Sequence, residues 1–196
     1  MSYRVEKLTP SQIKKIYTGP AVRHFPADER KPVEAIEKLL EDGMYMGLGM
    51  FDENAGTDDK LMAYALFTKG GEEFVLLDYY AVLEEYRSGG VGSIFIKEMD
   101  SHFDGVRGML LETEELESAA NDEEFNIRQR RNSFYRRNDV VMSDVKSEAA
   151  GVRYNIWYKA FEGDMPEADE LRGTLADLYN IMFKRCQNIG ITWDIF

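Results

Sequence analysis

Residues 77–93 read LDYYAVLEEYRSGGVGS, an apolar strand that runs straight into a basic, glycine-dense turn opening a helix. Such a turn is suited to holding an anion. Gly89, Gly90 and Gly92 let the backbone approach a phosphate closely. The amides of Gly90, Val91, Gly92 and Ser93 fall at a helix start, where they lack intrahelical partners and the dipole favours negative charge. Arg87 adds a fixed positive charge. Two familiar phosphate loops fit poorly. The Walker loop needs Lys then Ser or Thr after its last Gly, whereas Gly92 is followed by Ser93 and Ile94. The dinucleotide fingerprint matches Gly90 and Gly92 but puts Phe95 where the third Gly belongs.

The flanking pattern extends this unit. Phe74 to Leu83 is almost continuously apolar, as in a strand buried on both faces. Val91, Ile94, Phe95, Met99 and Phe103 then recur at helical spacing over Gly90 to Phe103. A short strand, Met109 to Leu111, precedes a charged helix from Asp122 to Arg137 that carries Arg128, Arg131 and Tyr135 on one face.

The stretch Arg87-Ser88-Gly89-Gly90-Val91-Gly92 resembles the (R/Q)-x-x-G-x-(G/A) signature of the GNAT superfamily of acyl-CoA-dependent N-acyltransferases. IRQRRNSFYRRNDVV is similar to that family's second motif, and the resemblance covers about Met1 to Phe161. It implies an α/β fold, with a central twisted mixed sheet, helices on both faces and here a C-terminal helical extension. By resemblance, Arg87 and the amides of Ser88, Gly89, Gly90, Val91, Gly92 and Ser93 grip the pyrophosphate of acetyl-CoA. Tyr80, Ala81 and Val82 supply main-chain contacts, including a donor to the acetyl oxygen. Tyr135 lies near the thioester sulfur, where a phenol can protonate the departing thiolate. Arg128 and Arg131 are either extra phosphate partners or solvated helix charges. Family members commonly follow the tyrosine with Asn-Gly and an aromatic; this chain has Asn138-Asp139-Val140, and Asp can still adopt the left-handed C-cap conformation.

The chain has 196 residues, 44% of them hydrophobic, enough for one well-buried domain and an appendage. The expected boundary is Glu162-Gly163-Asp164-Met165-Pro166, dividing a catalytic domain, residues 1–161, from an extension, residues 162–196. No run approaches the length of a membrane span, and MSYRVEKL reads as a strand without a signal peptide's apolar core, so a cytoplasmic location is expected. The single cysteine, Cys186, excludes an internal disulfide and reads as a small apolar residue of the last helix. His24 and His102 stand in no metal-ligand pattern, so no metal is expected; His24 reads as a solvated loop residue or, by the resemblance, which puts the loop Thr18 to Pro26 beside the acceptor cleft, as a substrate contact, and His102 as part of the helix after the turn. The net charge of -12 argues against nucleic acid or an anionic membrane as partner and would attract a cationic amine. Residues 112–117, ETEELE, read as a solvated acidic loop or as the rim of an acceptor cleft.

Elsewhere, Tyr3 to Lys7 reads as a strand, Thr9 as the cap of a helix beginning at Pro10, and Ala27 to Glu41 as a helix burying Val33, Ile36 and Leu40. Tyr45 to Phe51 and Leu61 to Phe67 read as an antiparallel hairpin joined by residues 52–59, and Val140 to Met142 and Val152 to Phe161 as later strands. Leu171, Leu175, Leu178, Met182 and Cys186 form the apolar stripe of a helix that packs on the domain's own sheet or in a dimer contact; the chain is a monomer or homodimer accordingly. Residues 191–196 read as an extra strand or docked tail.

Asp78 is the one acid in the apolar strand, and burying it unpaired would be costly. It is either a general base, or a binder of the acceptor's ammonium, or an acid satisfied by hydrogen bonds. The function this implies is acetyl transfer from acetyl-CoA to a primary amine of a small acceptor. The alternatives are a non-catalytic acyl-CoA-binding or sensing protein and an acetyltransferase of protein lysines or N-termini.

Overall fold

A computed structural model of the chain describes residues 2–54, 60–71, 73–184 and 192–196. It has a mixed α/β fold whose eight strands are hydrogen-bonded in the order β1-β2-β3-β4-β5-β7-β6-β8. Two compact units divide the chain: Met1–Lys69 with Leu77–Asp104, and Gly70–Leu76 with Gly105–Phe196.

The first unit contains β1 (Tyr3–Lys7), α1 (Pro10–Thr18), α2 (Pro20–His24), α3 (Val33–Glu41), β2 (Tyr45–Asp52), β3 (Lys60–Gly70), most of β4 (Phe74–Val82) and α4 (Val91–Glu98). Strand β2 pairs antiparallel with β1 and with β3, as the hairpin pattern predicts, with a register shift at Met50/Phe51. Residues 55–59 of the predicted turn lie outside the described residues. Helix α1 starts as its sequence dictates. Thr9 accepts from the Gln12 amide at 3.3 Å, the Gln12 side chain accepts from the Thr9 amide at 2.8 Å, and Pro10 takes a position whose N–H would have no partner. The helix buries Ile13, Ile16 and Tyr17. Gly47 makes this packing possible, because a Cβ there would come within 2.9 to 3.1 Å of Leu66, Leu8 and Ile13.

Three expectations need correction in this unit. The helix predicted over Ala27–Glu41 is a 3-10 turn at Ala27–Glu29 followed by α3, because Pro32 has no N–H to donate and disfavours helix in the residue before it. Its buried residues are Ala35, Ile36 and Leu39; Val33 is exposed. The region around His24 is not a loop but α2, begun by Pro20 at its first position. The helix predicted over Gly90–Phe103 ends at Glu98, and His102 lies in a 3-10 turn.

The second unit contains β5 (Gly108–Glu114), α5 (Asp122–Arg137), β6 (Val141–Ala149), β7 (Val152–Ala160), α6 (Ala168–Phe183) and β8 (Trp193–Ile195). β7 pairs antiparallel with β5 and β6, and β6 with β8. Ala150 and Gly151, both at positive φ, close the β6–β7 hairpin, matching the twist of the strands they join. β5 and β6 are longer than expected, and Glu112, Thr113 and Glu114 belong to β5 rather than to an acidic loop. Thr113 is buried and accepts from the Trp157 indole at 2.8 Å.

The apolar stripe of α6 is buried in this unit. Leu171, Leu175, Leu178, Tyr179 and Met182 pack with Phe74, Leu76, Leu110, Val145, Ile156 and Tyr158. The helix therefore covers its own sheet, and β8 follows as an added strand. The end predicted for this helix, including Cys186, lies outside the described residues. Among the described residues no helix is long and apolar enough to cross a membrane.

Candidate functional site

Strand β4 ends at Val82, and a 3-10 turn at Glu84–Tyr86 leads into the glycine-rich turn before α4. Leu83 donates to the Met62 carbonyl at 2.9 Å, fastening the strand's end. The turn then takes two left-handed residues, Ser88 at φ 63° and Gly90 at φ 79°. For Gly90 this costs little. For Ser88 it is strain that L-residues avoid, of the kind that collects at ligand sites. Gly90 is the N-cap of α4 and provides no side chain to cap it.

The backbone amides of Ser88, Gly89, Gly90, Val91, Gly92 and Ser93 donate to no described residue. Six successive amides without a partner among the described residues thus fall at the turn and the first residues of α4. Unpartnered amides at a helix start are the kind of arrangement that can hold an anion. From below the turn is held by Tyr80, whose hydroxyl donates to the Gly92 carbonyl at 2.7 Å and whose ring stacks on Phe95 at 5.8 Å. Arg87 uses its Nε to donate to the Val82 carbonyl at 3.0 Å. Its side chain is thereby anchored beside the turn, and its terminal nitrogens make no bond to a described residue. The Val82 carbonyl, one of the expected main-chain contacts, is occupied by Arg87. Ala81 is buried at the end of β4.

Asp78 does not face the turn as a free carboxylate. It forms an ion pair with Lys31, and Tyr45 donates to its second oxygen at 2.7 Å. The side chains of Lys31 and Asp78 are 13% and 8% exposed. Around them Lys31 stacks over the Tyr79 ring at 5.2 Å, its amide donates to the Tyr79 hydroxyl at 3.0 Å, and Tyr17 donates to the Lys31 carbonyl at 2.7 Å. Burial, reinforced by the Asp78 charge, pushes the Tyr45 phenol well up, keeping it a proton donor to Asp78. Of the roles open to Asp78, this geometry matches an acid satisfied by its partners.

In the second unit, α5 is capped by Asn121, whose side chain accepts from the Glu124 amide at 2.9 Å. At its other end Asp139 adopts φ 61°, the left-handed conformation expected after Asn138, and the Val140 amide returns to the Tyr135 carbonyl at 3.2 Å. Tyr135 is 7% exposed and its ring tilts against Trp157 at 6.1 Å. Burial, which outweighs the lowering effect of Arg131, pushes its phenol up to about 12. Its hydroxyl has no partner among the described residues.

The two candidate arginines are engaged within this unit. Arg128 is buried and donates to the Glu115 carbonyl, to Ser118 Oγ and to Glu124. It is neither a solvated charge nor a free phosphate ligand. Arg131 forms an ion pair with Glu114. One turn beyond Arg128, and next to Arg131, lies a buried polar residue that no motif in the sequence marks. Asn132 is 2% exposed, and its Oδ1 has no hydrogen-bond partner among the described residues. The spacing of Arg128, Asn132 and Tyr135, offsets of four and seven, carried the signal.

No protein-family model matches the chain, and no curated protein matches it significantly. Solved structures do. A Bacteroides thetaiotaomicron protein assigned to the GNAT family of acetyltransferases superposes with a TM-score of 0.70 at 18% identity, covering 91% of this chain and 97% of its own. The fold is that of the GNAT acyltransferases. An aminoglycoside 6'-N-acetyltransferase complexed with coenzyme A shares the GNAT architecture at a TM-score of 0.57 and 12% identity, over 83% of this chain and 99% of its own. A spermidine N-acetyltransferase, a chimera of Vibrio cholerae SpeG and hSSAT, matches at 0.57 and 11%, over 82% and 97%. Among the described residues no group of three or more His, Cys, Asp or Glu could hold a metal ion.

Proposed function

We propose that the chain is an acetyl-CoA-dependent N-acetyltransferase that transfers the acetyl group to a primary amine of a small acceptor by direct attack on the thioester. The observation that carries this reading is the row of unpartnered amides from Ser88 to Ser93, shaped by left-handed Ser88 and Gly90 and flanked by Arg87. Such a cradle suits the coenzyme's diphosphate, and the GNAT fold supports the assignment. The free terminal nitrogens of Arg87 add a charge-assisted contact.

In this reading the N–H of Ala81 or Val82 polarises the acetyl carbonyl. The buried Oδ1 of Asn132 accepts an N–H of the coenzyme's amide-containing arm, which relieves an acceptor that is otherwise expensive to bury. Tyr135 protonates the thiolate as the C–S bond breaks; its high phenol pKa keeps the proton in place throughout the neutral range. Asp78 serves the fold rather than the chemistry, and Arg128 and Arg131 hold α5 and its neighbours. The acceptors of the neighbours, an aminoglycoside and spermidine, are amines and polycations, and the acidic surface of this chain would draw such molecules.

The test is thiol release from acetyl-CoA in the presence of polyamines, amino acids, aminoglycosides and short peptides, for the wild type and for Tyr135→Phe. An N-acetyltransferase releases thiol with at least one amine, and Tyr135→Phe loses about 10²-fold in kcat with coenzyme affinity retained. Coenzyme binding with silence across the panel would instead leave a binding or sensing protein.

A further inference from the structure

His24 ends α2 within the first unit, and its surroundings are unlike those of a surface histidine. Its Nδ1 lies 2.9 Å from the hydroxyl of Tyr64 on β3, and the two rings stack at 5.8 Å with an interplanar angle of 17°. Tyr64 is fully buried, so the imidazole is braced from behind by a rigid phenol. The ring is half-buried, and Nε2 has no partner among the described residues.

The imidazole also lies within electrostatic reach of the anion cradle. Arg87, whose Nε holds the Val82 carbonyl, acts on both His24 and Tyr64, as does Arg23 on the same helix. The Leu83 amide is bonded to Met62, two residues before Tyr64 on β3, so the end of β4 and the His24–Tyr64 pair are near neighbours in this unit. Ala81 and Val82, assigned above to the acetyl carbonyl, belong to that same end of β4.

We infer that His24 is the general base of the reaction: Nε2 takes the proton that the acceptor nitrogen loses as its bond to the acetyl carbon forms and the C–S bond breaks. The inference rests on the acetyltransferase reading given above. In the tautomer it requires, Nδ1–H donates to the Tyr64 oxygen, which leaves the lone pair on Nε2. The acceptor's proton goes to His24 and then to solvent, while the sulfur receives its proton separately from Tyr135. Asp78 is thereby freed from a role its ion pair does not permit.

The charges around His24 fix when it can work. Burial and the guanidiniums of Arg87 and Arg23 lower its pKa, and Glu84 opposes them. The ring is therefore neutral at pH 7 and becomes protonated, and inactive, only as the pH falls below the usual histidine value of about 6.5. Removing the Arg23 charge raises the His24 pKa and moves this acid limb upward.

The experiment measures kcat/KM for thiol release against pH, for the wild type, His24→Gln and Arg23→Gln, together with calorimetric affinity for coenzyme A and melting temperature. The expected result is an acid limb in the wild type, its shift to higher pH in Arg23→Gln, and a loss of about 10²-fold in His24→Gln with coenzyme affinity retained. An active wild type with no acid limb, or a limb that Arg23→Gln leaves in place, overturns the assignment even where His24→Gln folds poorly. Unchanged kcat/KM in a folded His24→Gln does the same. A wild type that binds coenzyme but acetylates no amine overturns the acetyltransferase reading itself, a distinguishable outcome.

Discussion

Replacing Lys31 by Met would test whether Asp78 is held by its partners or poised for chemistry. The pair is almost wholly withdrawn from water, with side chains 13% and 8% exposed, so discounting for solvent screening is small. Losing one member leaves a buried carboxylate whose remaining bond is from Tyr45 at 2.7 Å. Breaking such a pair costs about 3–5 kcal/mol, and the surviving Tyr45 bond places the expected cost near the lower end, about 3 kcal/mol. For a chain of 196 residues that corresponds to a fall of about 6–12 °C in melting temperature. Differential scanning calorimetry, with urea unfolding as a second measure, reads this directly. The double variant Lys31→Met/Asp78→Leu removes both charges and should recover most of the loss, because the penalty belongs to the stranded charge. A fall of less than about 1 kcal/mol in Lys31→Met would refute the reasoning, since only a pair accessible to water is worth so little.

Two further perturbations separate backbone from side-chain effects. Gly90→Ala adds a Cβ that meets nothing within 4 Å, so its cost is that of the left-handed backbone alone: about 1 kcal/mol, or about 2–4 °C by thermal melting. Tyr179→Phe removes a hydroxyl that donates to Glu112 and lies 2.8 Å from Ser147; urea denaturation should show a loss of about 1–3 kcal/mol, and no loss would mean that this contact between α6 and the sheet contributes nothing.

The parts of the fold visible in the sequence were those written in local patterns. The continuous apolar run of β4, the glycines at 89, 90 and 92, and the Thr9–Pro10 helix start each act over a few residues, and α5 runs from Asp122 to Arg137 as its charged pattern suggests. Errors arose where a local signal was overruled. Apolar spacing continued the third helix back to Ala27, but Pro32 broke it. The acidic run at residues 112–117 read as a solvated loop or a cleft rim; the loop reading fails, since 112–114 belong to β5 and Glu114 and Glu115 are paired with Arg131 and Lys146.

The candidate site was legible on the same terms. The turn and Tyr135 could be named from motifs, whereas partners far apart in the chain could not. Lys31 finds Asp78 across 47 positions and His24 finds Tyr64 across 40, and neither pairing has a signature in either segment. Arg128 illustrates the reverse. Its place on a charged helix suggested a phosphate partner or a solvated charge, while it is buried and bonded to Glu115, Ser118 and Glu124.

The most direct measurement is a calorimetric titration of coenzyme A into the wild type and into Arg87→Gln. A diphosphate cradle predicts saturable binding at one site per chain, weakened about 10-fold or more in the variant, as expected for losing one charge-assisted hydrogen bond. No binding by the wild type, or equal affinity in both proteins, would contradict it.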